Sequence, residues 1–211
     1  MIFIIGVNQL AKISNFLTQL KNAKRLIRMT IVGDGAVGKT TLVQAMLQKT
    51  TEYNHNNHKL IDEKKITRTP FMEIESWTYK DLVFQCYDLA GQRTPGIHPL
   101  DILKNSVLSY IDIYIFVFSI DRYESFENLS NWLRLMDLDS RFKHNNIGFI
   151  LVGNKIDLER CVSKELVHTL VGQDKFFHSY VETSAIKPFV GIDKVLEEIV
   201  GMGKKLLNLC D

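Results

Sequence analysis

A glycine-rich stretch near the start of the chain has the residue types and spacing needed to bind a chain of phosphates. It runs Gly33-Asp34-Gly35-Ala36-Val37-Gly38-Lys39-Thr40, with Thr41 directly after it. An apolar run over residues 26–32 precedes it and predicts a strand, and residues 41–47 predict a helix. Strand, glycine loop and helix in this order are the context that a phosphate-binding P-loop requires.

Each part of this loop has a distinct chemical role under that interpretation. Gly33 and Gly38 let the backbone bend tightly and present its N–H groups to a polyphosphate, while the positive end of the following helix adds to the attraction. The Lys39 ammonium would reach the β and γ phosphates, and the Thr40 hydroxyl would hold Mg²⁺. A chance match to four fixed positions is rare, on the order of one in a hundred for a chain of this length.

Three more groups of polar residues stand at the ends of apolar runs that predict strands. They begin at Asp88, Asn154 and Ser184. In a mostly parallel sheet covered by helices, ligands bind beyond the carboxyl ends of the strands. We therefore expect the phosphate loop and these three groups to meet in one crevice.

The order of the predicted elements indicates the fold class. Runs 71–77 and 82–87, joined through Tyr79-Lys80-Asp81, predict an antiparallel hairpin, and the later strands alternate with helices. This order predicts an α/β fold with a mostly parallel six-stranded sheet, one antiparallel hairpin and helices on both faces.

Helical periodicity and capping residues predict where the later elements lie. We expect helices over about 100–110 and 126–136, a helix from an N-cap at Ser163 to about Val171, a last strand over 176–181, and a final helix from Ile192. Gly201 and Gly203 should weaken the tail of that final helix, because glycine is a poor helix former.

Composition limits the class of protein. The chain has 211 residues, 45% of them hydrophobic and 24% charged, which suits one well-buried core. A formal net charge of +2 gives no reason to expect a nucleic-acid partner. The three cysteines lack metal or disulfide spacing, which favours a reducing compartment, and no apolar run is long enough to span a membrane. We expect a cytoplasmic protein.

Residues 1–25 form an extension before the first predicted strand. Leu10, Ile13, Leu17 and Leu20 recur at helical spacing among basic residues. Such an amphipathic helix would lie on a membrane surface or on a partner. The alternative is that the segment packs on its own domain or stays partly disordered, and the sequence leaves both open.

Taken together, four motifs resemble those of the small GTPases of the Ras superfamily, which have a P-loop NTPase fold called the G domain. They are Gly33-x-x-x-x-Gly38-Lys39-Thr40, Asp88-x-x-Gly91-Gln92, Asn154-Lys155-x-Asp157 and Thr183-Ser184-Ala185. The resemblance covers residues 26–207 and leaves 208–211 as a tail. The segment from Ser125 to Leu133 resembles Rab-like members, whereas the His98-Pro99 step resembles Roc-type domains, so the subfamily stays open.

The resemblance implies GTP or GDP and Mg²⁺ as cofactors. Asp157 can accept two hydrogen bonds from guanine that adenine cannot offer. By resemblance, Asn154 steadies the site and Lys155 covers the base. In the same family pattern, the backbone N–H of Ala185, directly after Ser184, meets the guanine oxygen. Also by resemblance, Asp88 binds Mg²⁺ through water, Gly91 senses the γ-phosphate and Gln92 orients the attacking water. Gln92 and Lys39 are therefore the candidate catalytic residues.

Several positions depart from the family pattern. The threonine expected to close on Mg²⁺ and the γ-phosphate is either Thr67, which we prefer, or Thr69. Ile186 stands where the family has lysine, and Tyr53 is only one choice for an aromatic edge on the base. Arg93 would act as an internal arginine finger, or else remain a solvated or partner-facing charge.

The leading functional hypothesis is a molecular switch that hydrolyses GTP slowly and signals through two loops to effectors, with an exchange factor and a GTPase-activating protein as regulators. The rival is a nucleotide-binding interaction module with little hydrolysis. A kinase is disfavoured by the guanine-specifying pair Asn154 and Asp157. Cys210 is followed only by Asp211, which is no lipidation motif, so peripheral membrane contact would need residues 1–25 or a partner. We expect a monomer.

Overall fold

The computed structural model describes residues 25–53, 72–89, 108–136, 147–172 and 175–208. The strands are β1 (Leu26–Val32), β2 (Met72–Tyr79), β3 (Leu82–Leu89), β4 (Ile113–Ser119), β5 (Gly148–Asn154) and β6 (Ser179–Thr183). The helices are α1 (Lys39–Tyr53), α2 (Tyr123–Glu127), α3 (Leu129–Leu135), α4 (Lys164–His168) and α5 (Ile192–Leu206), with a short 3-10 turn over Leu108–Tyr110.

The described strands form one six-stranded sheet in the order β2-β3-β1-β4-β5-β6. β2 and β3 pair antiparallel, and the other neighbours pair parallel. This arrangement confirms the predicted fold class. Its register sets the site, because Ile31 pairs with Asp88 while Asn154 pairs with both Ser119 and Thr183.

The apolar runs of β4 and β5 are buried at every residue because helices cover both faces of the sheet. One face packs against α1 and α5, which contribute buried residues such as Leu42 and Val195. The other face packs against α3 and a cluster of aromatic side chains around Phe116 and Phe118. With both faces covered, the strand ends are the open edge at which a ligand can reach the polar groups.

The hairpin between β2 and β3 turns through Lys80 and Asp81 alone. Both residues have positive φ, 45° and 64°, as a two-residue type I′ turn requires. Tyr79, expected in the turn, instead pairs with Leu82 as the last residue of β2. Its side chain is buried against the face that α1 covers, and this burial extends the strand.

The helix expected over 126–136 is two shorter helices, α2 and α3, which meet at Asn128. Its first turn also lies earlier than the apolar periodicity indicated, because α2 begins at Tyr123. Most of the helix expected over 100–110 lies outside the described residues, and Leu108–Tyr110 forms the 3-10 turn.

Ser163 caps α4 as predicted, since its hydroxyl accepts a hydrogen bond from the Leu166 N–H at 3.3 Å. The predicted end at Val171 is wrong, because α4 stops at His168. Val171 instead forms an isolated bridge with Phe177. The last strand, β6, begins at Ser179, later than the apolar run from 176 indicated.

The final helix α5 runs through both glycines to Leu206. Buried residues Ile192, Val195 and Ile199 lie on one side of it, so packing against the sheet compensates for the weak helix propensity of glycine. Of the helices in the described ranges, none combines the length and apolarity that crossing a membrane takes.

We predict that Gly201→Ala raises the free energy of unfolding by about 0.5–1 kcal/mol, because alanine is the better helix former and an added Cβ at this position meets no atom within 4 Å. Gly203→Ala is the matched control. Its Cβ would lie 3.0 Å from Ile27 Cγ1 and 3.2 Å from Leu82 Cδ1, so crowding should reduce the gain. Urea denaturation measures both, and an equal or larger gain for Gly203→Ala would contradict the prediction.

Candidate functional site

The loop from Gly33 to Gly38 joins the end of β1 to the start of α1 and is packed tightly against two other strands. Gly33 has φ 146°, and a Cβ there would lie 2.1 Å from the Val117 carbonyl oxygen on β4. Gly38 has φ 93°, and a Cβ there would lie 2.4 Å from Asn154 Nδ2 at the end of β5. Both glycines are therefore required by close approach as well as by backbone angle.

The middle of the loop turns through Ala36, which has φ 63°. Val37 beside it is fully buried and anchors the loop in the core. The Gly38 carbonyl accepts the first helical hydrogen bond of α1, from the Leu42 N–H at 2.9 Å. The first turn of α1, which includes Thr40 and Thr41, thus leads directly out of the loop, so the N-terminal end of this helix faces the loop.

Lys39 folds its side chain back across the loop. Its ammonium donates hydrogen bonds to the carbonyl oxygens of Gly33 and Asp34, both at 2.9 Å. Only 7% of the residue is exposed, and burial lowers the pKa of the ammonium to about 8, although the carboxylates of Asp88 and Asp34 act in the opposite direction. A buried cation beside the positive end of a helix is an environment suited to a polyanion.

Thr40 and Asp88 bring two oxygen atoms together beside this loop. The Thr40 hydroxyl donates to Asp88 Oδ2 at 2.5 Å, and Asp88 is buried near the end of β3. A hydroxyl and a carboxylate are hard oxygen donors of the kind that Mg²⁺ prefers, and Mg²⁺ takes its remaining positions from water and substrate phosphates. The pair therefore fits the magnesium role predicted for it.

Asn154 links the phosphate loop to the far side of the crevice. Its Nδ2 donates to the Val37 carbonyl oxygen at 2.9 Å, and its Oδ1 accepts from the Thr183 hydroxyl at 2.9 Å. The residue is buried, and both bonds are buried as well. The Asn154 side chain therefore holds three chain segments together, namely the phosphate loop and the ends of β5 and β6.

Asp157 and Ser184 form the other end of the crevice. The Ser184 hydroxyl donates to Asp157 Oδ1 at 2.6 Å, and the Ile156 N–H donates to the Thr183 carbonyl oxygen at 3.1 Å. Asp157 itself remains exposed, so its carboxylate is open to a ligand. Lys155, with φ 67°, makes the sharp turn that leads from the buried strand to this exposed carboxylate.

The residues after Ser184 differ from the family pattern, because Ile186 stands where the family has lysine. Ala185 is buried, whereas Ile186 is 55% exposed. The ammonium of Lys187 lies 5.9 Å from the ring centroid of Phe189. The lysine that comes one position late is therefore placed over an aromatic ring of its own loop.

Three side chains that the motifs did not identify also contact the phosphate loop. Arg122 Nη2 donates to the Gly35 carbonyl oxygen at 2.8 Å. Asn128 Nδ2 and Trp132 Nε1 donate to the two carboxylate oxygens of Asp34 at 2.9 and 2.8 Å. They lie 87 to 98 positions along the chain from their partners. The resemblance of the segment from Ser125 to Leu133 to Rab-like members is a signal for two of them, but it does not indicate this contact.

Other predicted positions lie outside the described residues, and the roles assigned to them stay predictions. They are Thr67, Thr69, Gly91, Gln92 and Arg93, together with residues 1–24 and Cys210. Tyr53 is the last residue of α1.

Comparison with known proteins agrees with this geometry. A model of the Ras family matches residues 28–204. Ras-related protein Rab-28 of Caenorhabditis elegans is 24% identical over 184 residues, which cover 85% of this chain and 69% of that protein. Ras-related protein RABA5e of Arabidopsis thaliana is 31% identical over 163 residues, covering 76% of this chain and 67% of that protein. For Ras-related protein Rab11A of Nicotiana tabacum the identity is 29% over 178 residues, with coverage of 83% and 74%.

The family match extends over most of the chain and includes the phosphate loop and the loops that follow β5 and β6. The chain therefore belongs to the Ras family of small GTPases.

Proposed function

We propose that this chain is a guanine-nucleotide switch that binds GTP or GDP with Mg²⁺ and hydrolyses GTP to GDP and phosphate. The observation that carries the proposal is the position of Asn154, whose side chain joins the phosphate loop to the segment that presents Ser184. A phosphate-binding loop and a base-binding carboxylate are thereby held in one crevice at a fixed separation. A nucleoside polyphosphate is the ligand class that needs both.

Selection of the base would depend on Asp157. Its carboxylate can accept hydrogen bonds from the N1–H and the exocyclic amine of guanine, and its orientation is set by the Ser184 hydroxyl. Adenine presents an unprotonated N1 and would leave the carboxylate unpaired. The Lys155 stem would cover the ring, and the backbone N–H of Ala185 would meet the guanine oxygen.

Phosphate binding would depend on the loop residues Gly33 to Gly38, on the Lys39 ammonium and on the N-terminal turn of α1. Thr40 and Asp88 would hold Mg²⁺, with Thr67 joining them when GTP is bound. Magnesium supplies positive charge against the phosphate oxygens in such sites.

Hydrolysis requires in-line attack of water on the γ-phosphorus and cleavage of its bond to the β–γ bridging oxygen, which leaves with GDP. Gln92 would orient the water, and Lys39 would stabilise charge on the phosphate oxygens. The switch segments predicted around residues 49–70 and 92–99, of which 49–53 belong to α1, would contact effectors, an exchange factor and a GTPase-activating protein differently in the two states. These roles rest on the family membership and on the residue types at these positions.

We predict that the chain prefers GTP over inosine triphosphate, which lacks only the exocyclic amine, by about 10- to 100-fold in Kd. Asp157→Ala should abolish this preference because the carboxylate that accepts from the amine is gone. Asp193→Ala removes another exposed carboxylate, one that pairs with Lys49 and not with a predicted site residue, and should keep the preference. Competition against a fluorescent GDP analogue measures each Kd, and equal wild-type affinities would contradict the prediction.

A second prediction concerns hydrolysis itself. Purified protein should retain guanine nucleotide, and bound GTP should turn over slowly in a single-turnover assay that needs Mg²⁺. Gln92→Leu should slow this turnover roughly tenfold or more, because the attacking water loses its positioning group. If wild type and Gln92→Leu are equally inert while both bind GTP, the interaction-module alternative is correct.

The lowered pKa of Lys39 predicts proton uptake on binding. Burial lowers the pKa of this ammonium to about 8, so the side chain loses its proton as pH rises through this range. Bound phosphates favour the charged form and raise the pKa, so binding of GDP should take up a proton and weaken as pH rises above about 8. Calorimetry near pH 8.5 in two buffers of different ionisation enthalpy measures the uptake, which should shrink near pH 7. Equal observed enthalpies in the two buffers near pH 8.5 would contradict it.

A further inference from the structure

Asp34 accepts hydrogen bonds through both its backbone carbonyl and its carboxylate, so it links the Lys39 ammonium to the helix α3. Its backbone carbonyl accepts from Lys39 Nζ at 2.9 Å, and its carboxylate accepts from Trp132 Nε1 at 2.8 Å and from Asn128 Nδ2 at 2.9 Å. Hydrogen bonds to an ionised acceptor are stronger than bonds between neutral groups. A movement of Trp132 or Asn128 would therefore displace the Lys39 side chain as well, with Asp34 as the single residue between them.

Both donors to the carboxylate are fixed by their own surroundings. Trp132 is 6% exposed, and its ring belongs to the buried cluster on its face of the sheet. The Oδ1 atom of Asn128 accepts from Asn131 Nδ2 at 3.1 Å, which directs the Nδ2 atom of Asn128 toward Asp34. The break between α2 and α3 falls at Asn128 and brings this side chain to the loop.

The next loop residue has a support of its own from the same segment. Arg122 Nη2 donates to the Gly35 carbonyl oxygen at 2.8 Å. Two consecutive residues of the phosphate loop are thus held by one stretch of chain, and we call Arg122, Asn128 and Trp132 the brace. The loop needs such support because its turns use positive φ angles at Gly33, Ala36 and Gly38, one of them at a residue other than glycine.

We propose that the brace holds the phosphate loop in its anion-binding shape and thereby sets the rate at which bound guanine nucleotide dissociates. Its members act as positioning residues through Asp34 and Gly35. This inference rests on the proposed function, since it concerns nucleotide bound at this loop. When the hydrogen bonds of the brace are lost, Asp34 can move, and the Lys39 ammonium that donates to its carbonyl oxygen can move with it. The bound phosphates then lose contacts.

The test compares the two tryptophans of the chain. Trp132→Phe removes the N–H that reaches Asp34 but keeps an aromatic ring in the core. Trp77→Phe is the matched control, because Trp77 is also buried and its Nε1 atom makes no hydrogen bond in the described part of the chain. Release of a fluorescent GDP analogue into excess GDP should be about tenfold faster in Trp132→Phe and within about twofold of wild type in Trp77→Phe.

A second readout separates positioning from general loosening. If Trp132 acts through Asp34, the double variant Asp34→Asn/Trp132→Phe should release nucleotide no faster than the faster single variant. Independent destabilisation would instead multiply the two effects and overturn the proposal. Asn128→Ala removes the other donor at a half-buried position, so it provides the same test if Trp132→Phe does not fold.

Trp132 also reports directly on the loop. In the Trp77→Phe background it is the one remaining tryptophan, and its emission should change when GDP leaves. Equal release rates for Trp132→Phe and Trp77→Phe in protein that retains GDP would overturn this inference alone. Failure of the wild type to retain any guanine nucleotide would overturn the proposed function, and this inference with it.

Discussion

The structure depends on the contact between the phosphate loop and the buried side chain of Asn154. Gly38 comes so close to this side chain that a Cβ would lie 2.4 Å from Nδ2, and the Val37 carbonyl oxygen accepts a hydrogen bond from the same atom. From the end of β6, the Thr183 hydroxyl donates to the Oδ1 atom of the same side chain. Because the amide is satisfied on both sides and excluded from water, loop, β5 and β6 cannot shift independently, and the two ends of the crevice keep a set distance.

Electrostatics gives this rigid crevice its preference for anions. Burying the Lys39 ammonium is unfavourable, as its lowered pKa shows, and the nearby carboxylates of Asp34 and Asp88 offset only part of that cost. The cation is nevertheless held, because two loop carbonyl oxygens accept hydrogen bonds from it. A desolvated cation interacts more strongly with phosphate than a solvated one would, since little water remains to screen it.

Outside the phosphate-loop motif, residues from other parts of the chain also shape the crevice. Arg122 and Trp132 tie the loop to the segment after β4, while Ile186 leaves an apolar side chain 55% exposed where the family pattern has lysine. The motif residues are constrained by the nucleotide's chemistry. The supporting residues act one step further out, by donating hydrogen bonds to the loop.

The fold class and the residue types of the crevice could be predicted before any coordinates, because strand runs, glycine spacing and polar strand ends follow local rules of backbone geometry. Element ends were less predictable, as α4 shows: a bridge between Val171 and Phe177 overrode its helical periodicity. The side chains that support the loop became evident only from the packing of the folded chain. Asn128 and Trp132 lie 94 and 98 positions from Asp34, and contacts at such separations depend on how helices pack on a sheet rather than on any local pattern.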